Sequence, residues 1–438
     1  MGKTHLFWLT HDIRLEDNLL LHQASQCDRL LLVYCLDPAS FKSNRYGLQG
    51  MSQHRLRFLY EGLIDLDQQL QPLGQTLLIC MGHPVDVMSS LIREHAVDGV
   101  FCADQVGSYE RKYWQKLNQL HPQITFTSGN ASRLLEQDQL PFALESLPAS
   151  FSGFRKRVEH LPIDKPVPKV THLPPLVTRQ HAWPVTLEKP LSNQQSPFKG
   201  GESSGLAHIN EYFTSQHPQT YKDTRNALDT WHHSTKLSSW LAQGSVSVRF
   251  VLDELIKHEQ QFGANESTYW IFFELLWREY FHWNALKLGT TLFNFSGIKE
   301  RKPLTSFYPQ RFRAWCEGNT PNAAVNACMK QLNATGYLSN RGRQWVASYL
   351  VNEMRIDWRY GAAYFEQQLL DYDVASNWGN WQYLGGVGAD PRGQRHFNLA
   401  KQVQMYDPDG EFIKRWAGES QMTHLDTVDA ADWPIMRH

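Results

Sequence analysis

The sequence predicts an α/β domain, a parallel sheet with helices on both faces, followed by an all-α domain. Three observations predict it. Short apolar runs alternate with longer amphipathic segments as far as residue 129, a proline-rich break follows, and helical periodicity runs almost unbroken from residue 206. Segments 5–9, 29–37, 76–82, 97–103 and 123–129 read as strands, being brief, continuously apolar and bounded by turn residues. Between them, 51–71 places Leu56, Leu59, Leu63, Leu66 and Leu70 at helical spacing, and 84–95 and 108–120 read as further helices. Ligands of such sheets sit at the carboxyl ends of the strands. No GxGxxG follows the first strand and no GxxxxGK[ST] occurs, so neither usual nucleotide loop is present.

From about 160 to 205, Pro162, Pro166, Pro168, Pro174, Pro175 and Pro184 exclude a helix and stiffen an interdomain connection. The expected organisation is 1–135 for the α/β domain, 136–205 for the connector, 206–415 for the helical domain and 416–438 for a short tail. At 438 residues, two domains are the default. Hydrophobic content of 42% and charged content of 20% suit an ordinary globular chain, and a net charge of -1 restricts any nucleic-acid site to a local patch. With no charged segment leading into an apolar run at the start and no stretch long enough to span a bilayer, the chain is expected in the cytoplasm, without a membrane partner.

The six cysteines form no CxxC, and several lie inside apolar runs where they act as small hydrophobes. His232 and His233 are neighbours that cannot share a helix face, and no HExxH occurs, so no metal site is expected. Fifteen tryptophans supply core, stacking surface and redox-active rings.

Four stretches of the second half carry possible chemistry. In 371–388, Asp371, Asp373 and Asn377 can point at one polar object while Trp378, Trp381 and Tyr383 offer ring faces; a Trp-rich turn closing a core is the structural alternative. In 221–249, Ser234, Thr235 and Ser238 crowd around Lys236, and such hydroxyls either cap the helix that follows or hold a phosphate. In 267–283, a helix apolar nearly all round carries Glu274 and Arg278 at i, i+4 with Trp277 beside them, either as one internal ion pair or as a pocket edge. In 329–370, Asn340, Arg341, Arg343 and Gln344 cluster after a turn; two guanidinium forks beside amides suit a phosphate backbone with a stacked base, an RNA site or a structural cluster.

In order and at matching spacing, YKDTRN and STKLSSWLA within 221–249, FELLWREYF at 273–281, LNATGYLSNRGRQWVAS at 332–348 and DYDVASNWGNWQY at 371–383 resemble the photolyase/cryptochrome family of blue-light flavoproteins, and most nearly its DASH-type cryptochromes. FWLTHDIRLEDN and the helix at 54–74 agree more loosely. The resemblance implies flavin adenine dinucleotide (FAD) in the helical domain, its phosphates held by Tyr221, Ser234, Thr235, Lys236, Leu237 and Ser238, with Glu274, Arg278 and Asn340 lining the pocket. It implies that Arg343 pairs with Asp371 over the flavin ring, that Asp373 faces ring and ribityl, and that Asn377 approaches N5. It further implies light-driven repair of cyclobutane pyrimidine dimers, with Glu274, Asn340, Trp277, Gln344 and Tyr383 contacting the flipped dimer.

Gln344 and Tyr383 stand where double-strand photolyases usually carry Met and Trp, and this more polar surface implies single-stranded DNA as substrate. Trp381 and Trp358 match the inner members of the family's electron relay; the outer position falls near Thr305, with Tyr308 as the substitute. Thr10 and His11 depart from the pattern after the first strand, and Glu110 matches the acid of a folate antenna (5,10-methenyltetrahydrofolate). A monomer is expected. A non-catalytic photoreceptor signalling through flavin redox state is the alternative, against which the tail is short.

Overall fold

The computed structural model describes residues 2–177, 196–389, 395–420 and 425; Pro184, residues 390–394 and most of the expected tail lie outside the described residues. The expected strands form one five-stranded parallel sheet: β1 Thr4–Leu9, β2 Arg29–Leu36, β3 Leu77–Met81, β4 Gly99–Ala103 and β5 Thr125–Gly129, in the order β3-β2-β1-β4-β5. Helices α1 Leu19–Ala24, α2 Gln53–Leu70, α3 Pro84–Glu94 and α4 Ser108–Leu120 make the crossovers. The period of two along a strand explains the two faces. Phe7 and Leu9 of β1 pack with Leu32 against Leu20 of α1 and Leu56, Leu59 and Leu63 of α2. Leu6 and Trp8 turn the other way, with Leu31 and Val33, onto Met88 and Ile92 of α3 and Leu117 of α4. Only α1 was not expected: six residues are too few to show a period, although Asn18 caps it by accepting from Leu21 N at 3.0 Å.

The chain then passes through α5 Phe151–Val158 into a helical unit: α6 Glu202–Thr214, α7 Tyr221–Thr224, α8 Ser238–Gln243, α9 Val248–Phe262, α10 Glu266–Leu288, α11 Pro309–Glu317, α12 Ala323–Thr335, α13 Asn340–Asn352, α14 Trp358–Gln368, α15 Val374–Leu384, α16 Leu399–Tyr406 and α17 Glu411–Arg415. Two cores fill it. One gathers α12 to α15 around Trp315, Trp345, Trp358 and Trp381. The other joins α9 and α10 to Leu134, Leu135, Phe151 and Phe154. Residues before the proline-rich stretch thus already belong to the helical core.

The carboxyl end of β1, where the strand order reverses, is filled by the chain itself. Gly244 (φ +74°) lies so close to the His11 carbonyl that an added Cβ would collide with it. Arg14 Nη1 donates to Gly244 O at 3.0 Å, and the buried Glu202 accepts from Leu15 N at 3.0 Å and Glu16 N at 2.7 Å. Buried Asp17 accepts from Arg249 Nε at 3.2 Å. A switch-point crevice is the usual ligand site of such sheets; at β1 it serves here as the joint between the two units. Among the described residues no helix is long and apolar enough to cross a membrane.

Candidate active site

The site is built on α10. Asn265 caps this helix by accepting from Thr268 N at 2.9 Å, and the Thr268 hydroxyl answers the Asn265 N–H at 3.0 Å. One face is fixed by Glu279, fully buried, which accepts from Leu134 N at 2.7 Å, Leu135 N at 3.3 Å and Trp283 Nε1 at 2.8 Å. Glu274 and Trp277 lie on the opposite face, with Arg278 between the two faces.

The internal Glu274–Arg278 pair allowed by their spacing is not what holds these charges. Glu274 bonds Arg225, whose guanidinium also covers Trp270 at 4.6 Å. Arg278 donates to Ser132 O and, at 3.4 Å, to Leu241 O. Burial pushes the Glu274 carboxyl above its ordinary value, with Arg225 pulling it back. Burial likewise lowers the Arg278 guanidinium, opposed by Asp373 and Glu279. Trp277 stacks on Phe151 at 3.8 Å and 14° and meets Tyr383 edge-on at 5.9 Å, so Glu274, Trp277 and Tyr383 share one wall.

Helix α13 starts on Ser339, which accepts from Gly342 N at 3.2 Å. Its Arg343 donates from Nη2 to both oxygens of Asp371, at 2.9 and 2.8 Å, and from Nε to Leu338 O at 2.8 Å. This is the pair the resemblance implied. Arg341 donates to Gln344 Oε1 at 2.9 Å and Asn226 Oδ1 at 2.8 Å, tying Gln344 to the residue after Arg225. Asn340, by contrast, is exposed at the helix start.

Asp373 caps α15, accepting from Ser376 N at 2.7 Å. Burial opposes its charge, but His282, Arg278 and Ser376 outweigh it and hold the carboxyl well below the usual range. His282 Nε2 lies 3.2 Å from Asp373 Oδ2, out of line for a hydrogen bond. Asn377 is buried and donates its amide to Ala362 O at 3.0 Å, which leaves its carbonyl oxygen available.

The 234–238 segment does not use its hydroxyls as a cap: α8 begins at Ser238 after Leu237 with no side-chain cap bond. Instead Thr235 O accepts from His208 Nε2 at 2.8 Å, and Lys236, only 5% exposed, holds φ +53°, a conformation that disfavours a side chain. Lys236 Nζ donates to Tyr337 OH at 3.3 Å, and the same ring lies under Arg343 at 5.7 Å. Tyr337 thereby connects the 234–238 segment with the Arg343–Asp371 pair. Tyr221, at the start of α7, is buried, and burial raises its phenol, with Glu274 adding to the rise.

Sequence reasoning missed Tyr337, Arg225 and His282. Tyr337 and Arg225 lie inside the motifs quoted above and His282 directly follows FELLWREYF, but their roles depend on partners distant in sequence. Of the relay residues, Trp358 and Trp381 are both buried, and the Trp358 ring and the Trp381 carbonyl both lie beside Gly385. Trp358 donates Nε1–H to Phe295 O at 3.0 Å and pairs with Trp378 at 5.8 Å. Tyr308 precedes α11 with Arg311 over its ring at 5.0 Å. Glu110 sits in the first turn of α4, folded back over Gly107. Its neighbours Ser108, Arg111 and Lys112 line a cavity of about 310 Å³ closed on the other side by Lys287, Gly289 and Thr290 at the end of α10.

Fold and site together define a two-part protein, a parallel α/β unit joined to a helical unit in which buried acids, arginines and rings converge on α10, α13 and α15. The family model described as DNA photolyase matches residues 5–172, and the one described as FAD binding domain of DNA photolyase matches 270–435. A cryptochrome DASH of Idiomarina loihiensis is 51% identical, covering 98% of this chain and 96% of its own. A cryptochrome DASH of Vibrio parahaemolyticus is 47% identical over 99% and 97%. The crystal structure of Synechocystis sp. PCC6803 cryptochrome superposes with a TM-score of 0.90 at 36% identity, covering 94% of this chain and 88% of that one. The chain belongs to the photolyase/cryptochrome family, within its DASH cryptochromes, and is a photolyase-type blue-light flavoprotein with FAD as its cofactor.

The residues present fit that cofactor. Ser239 Oγ and His282 Nδ1 are buried without a hydrogen-bond partner, which a bound polar group would relieve. The oxygen of Asn377 and the carboxylates of Asp371 and Asp373 add acceptors in the same unit.

Proposed function

We propose that this protein repairs cyclobutane pyrimidine dimers under blue light, preferentially in single-stranded DNA. The observation that carries the reading is the wall of Glu274, Trp277 and Tyr383 bordered by arginines: Arg225 on Glu274, Arg341 beside Gln344, and Arg395 on the Tyr383 ring at 4.7 Å. That is a local cationic patch on a chain of net charge -1. Phosphates would take the arginines while the flipped bases stack on Trp277 and Tyr383. Glu274, kept half-buried and paired until then, would accept or donate a hydrogen bond at the dimer's polar edge, with Gln344 and Asn340 assisting.

What FAD supplies when bound and fully reduced is a photoexcited electron, lent to the dimer and recovered after the ring opens. The chain's own part is to place that electron. Lys236 with Ser234, Thr235, Leu237, Ser238 and Tyr221 would hold the phosphates, Arg278 and Asp373 the ribityl side, and Arg343–Asp371 with Asn377 the ring. Trp381 and Trp358 would pass electrons inward, with Tyr308 as the outer member proposed from sequence. The cavity beside Glu110 would take a folate antenna, its carboxylates meeting Arg111, Lys112 and Lys287.

The substrate preference is tested by repair of one thymine dimer in a single strand and in a duplex, side by side. Repair of the single strand at least tenfold faster is expected, because Gln344 and Tyr383 return less of the few kcal/mol spent on unstacking a paired dimer. Equal rates would refute the preference while leaving the lyase reading intact.

A further inference from the structure

A second cavity, of about 360 Å³, opens behind Trp358, and none of the roles above uses it. Its floor includes Phe295, whose carbonyl accepts the Trp358 Nε1–H at 3.0 Å. Its walls are flat rings: Tyr360 stacks on Phe307 at 4.0 Å and 11°, and Tyr46 meets Tyr360 edge-on at 5.1 Å. Phe307 is 37% exposed, so the stack faces solvent.

The charges in it are unequal. Arg359 is matched by Asp357, with Nη2 at 2.7 Å and Nε at 3.0 Å from Oδ2. Arg45 is exposed, donates to Tyr46 OH at 2.8 Å, and has no carboxylate partner among the described residues. Two guanidinium groups against one carboxylate leave one positive charge between flat faces. Such a site suits a planar molecule carrying one negative charge.

Rings also lead inward from it. Tyr46 lies 6.4 Å from Trp378, and Trp378 lies 5.8 Å from the buried Trp358. We propose that this cavity docks a small, planar, mono-anionic ene-diol reductant and that its electron enters the protein through Tyr46, Tyr360 and Trp378. The inference rests on the flavoprotein reading above and names the electron source that it requires.

The step balances as a one-electron transfer. When the relay has given an electron inward, the hole reaches a tyrosine of the wall, which releases its phenolic proton to the open cavity. The docked ene-diol monoanion then gives up one electron and one proton, the tyrosyl takes both to become phenol again, and the ene-diol radical leaves to solvent. Arg45 holds the donor's charge and does not itself react.

The test uses the flavin-loaded protein with ascorbate as the probe, in two arms. In the dark, ligand-observed NMR is expected to show saturable ascorbate binding that Arg45→Glu weakens roughly tenfold or more, since it removes one charge-assisted contact and adds a repulsion. Under blue light, the rate of flavin photoreduction is expected to saturate with ascorbate and to rise linearly with dithiothreitol, which is uncharged at neutral pH. Arg45→Glu should abolish the saturation with ascorbate and slow the ascorbate reaction more than the dithiothreitol reaction, whose dependence stays linear. Absence of saturable binding in the dark would overturn the proposal, as would equal slowing of both reductants by Arg45→Glu. A protein that binds ascorbate at Arg45 but repairs no DNA would instead count against the lyase reading alone.

Discussion

Glu279→Ala tests how the helix carrying the chemistry is held in place. Glu279 accepts three hydrogen bonds from fully enclosed donors, at 2.7, 3.3 and 2.8 Å, and two of them come from the segment that leaves the sheet. Truncation leaves these donors without partners. At about 1–3 kcal/mol for each stranded donor, and with water entering the vacated space, a loss of about 3–5 kcal/mol is expected. Glu279→Gln keeps one acceptor oxygen of the same shape and should lose about half of that. Urea unfolding at neutral pH, followed by far-UV circular dichroism, measures both. A Glu279→Ala protein within about 1 kcal/mol of the parent would refute the reasoning, and so would a Gln variant as unstable as the Ala variant.

Asp371→Ala strands the Arg343 guanidinium; because Arg343 is a quarter exposed, a cost of about 2–3 kcal/mol is expected, below that of a fully buried pair, and it should appear as flavin lost on dialysis. The folded protein holds the Asp373 carboxyl below its ordinary value, so its contribution to stability is complete above the unfolded carboxylate pKa of about 4 and fades as pH falls through that value and lower. Melting temperature should therefore drop more steeply below about pH 4 in the parent than in Asp373→Asn, and parallel curves would refute the assignment. Trp358→Phe should slow photoreduction at least tenfold, as it replaces the oxidisable indole next to Trp378 by a phenyl ring that does not carry the hole. Tyr308→Phe, measured by transient absorption, should remove the tyrosyl signal that its proposed place as outer member of the relay requires, and an unchanged signal would refute that role.

The sheet was legible because its central strands β1, β2 and β4 are mostly buried on both faces and therefore read as apolar runs, with α2, α3 and α4 visible through their apolar spacing. The site was legible where its residues fall on one helix or one cap, as with Asp371, Asp373 and Asn377. Tertiary pairing was not. Spacing offered Glu274 to Arg278, and the fold gave it to Arg225, forty-nine positions earlier in the chain. Hydroxyls before α8 looked like caps, yet the chain enters that helix through Lys236 at positive φ, which leaves the hydroxyls turned elsewhere. The end of β1 looked like a ligand crevice, and Gly244 of the helical unit occupies it. For Glu274 and for the end of β1 the deciding contact joins segments far apart in sequence, and for the hydroxyls it is a left-handed residue; no local period records either.

The most direct test of the account is the loss of thymine dimers from a single-stranded oligonucleotide under blue light, with the protein flavin-loaded and reduced. Dimers should disappear only under illumination, and Glu274→Gln should slow their loss while flavin stays bound. A protein that binds and photoreduces its flavin yet leaves the dimers intact in single strand and duplex alike would contradict the lyase and point to a photoreceptor.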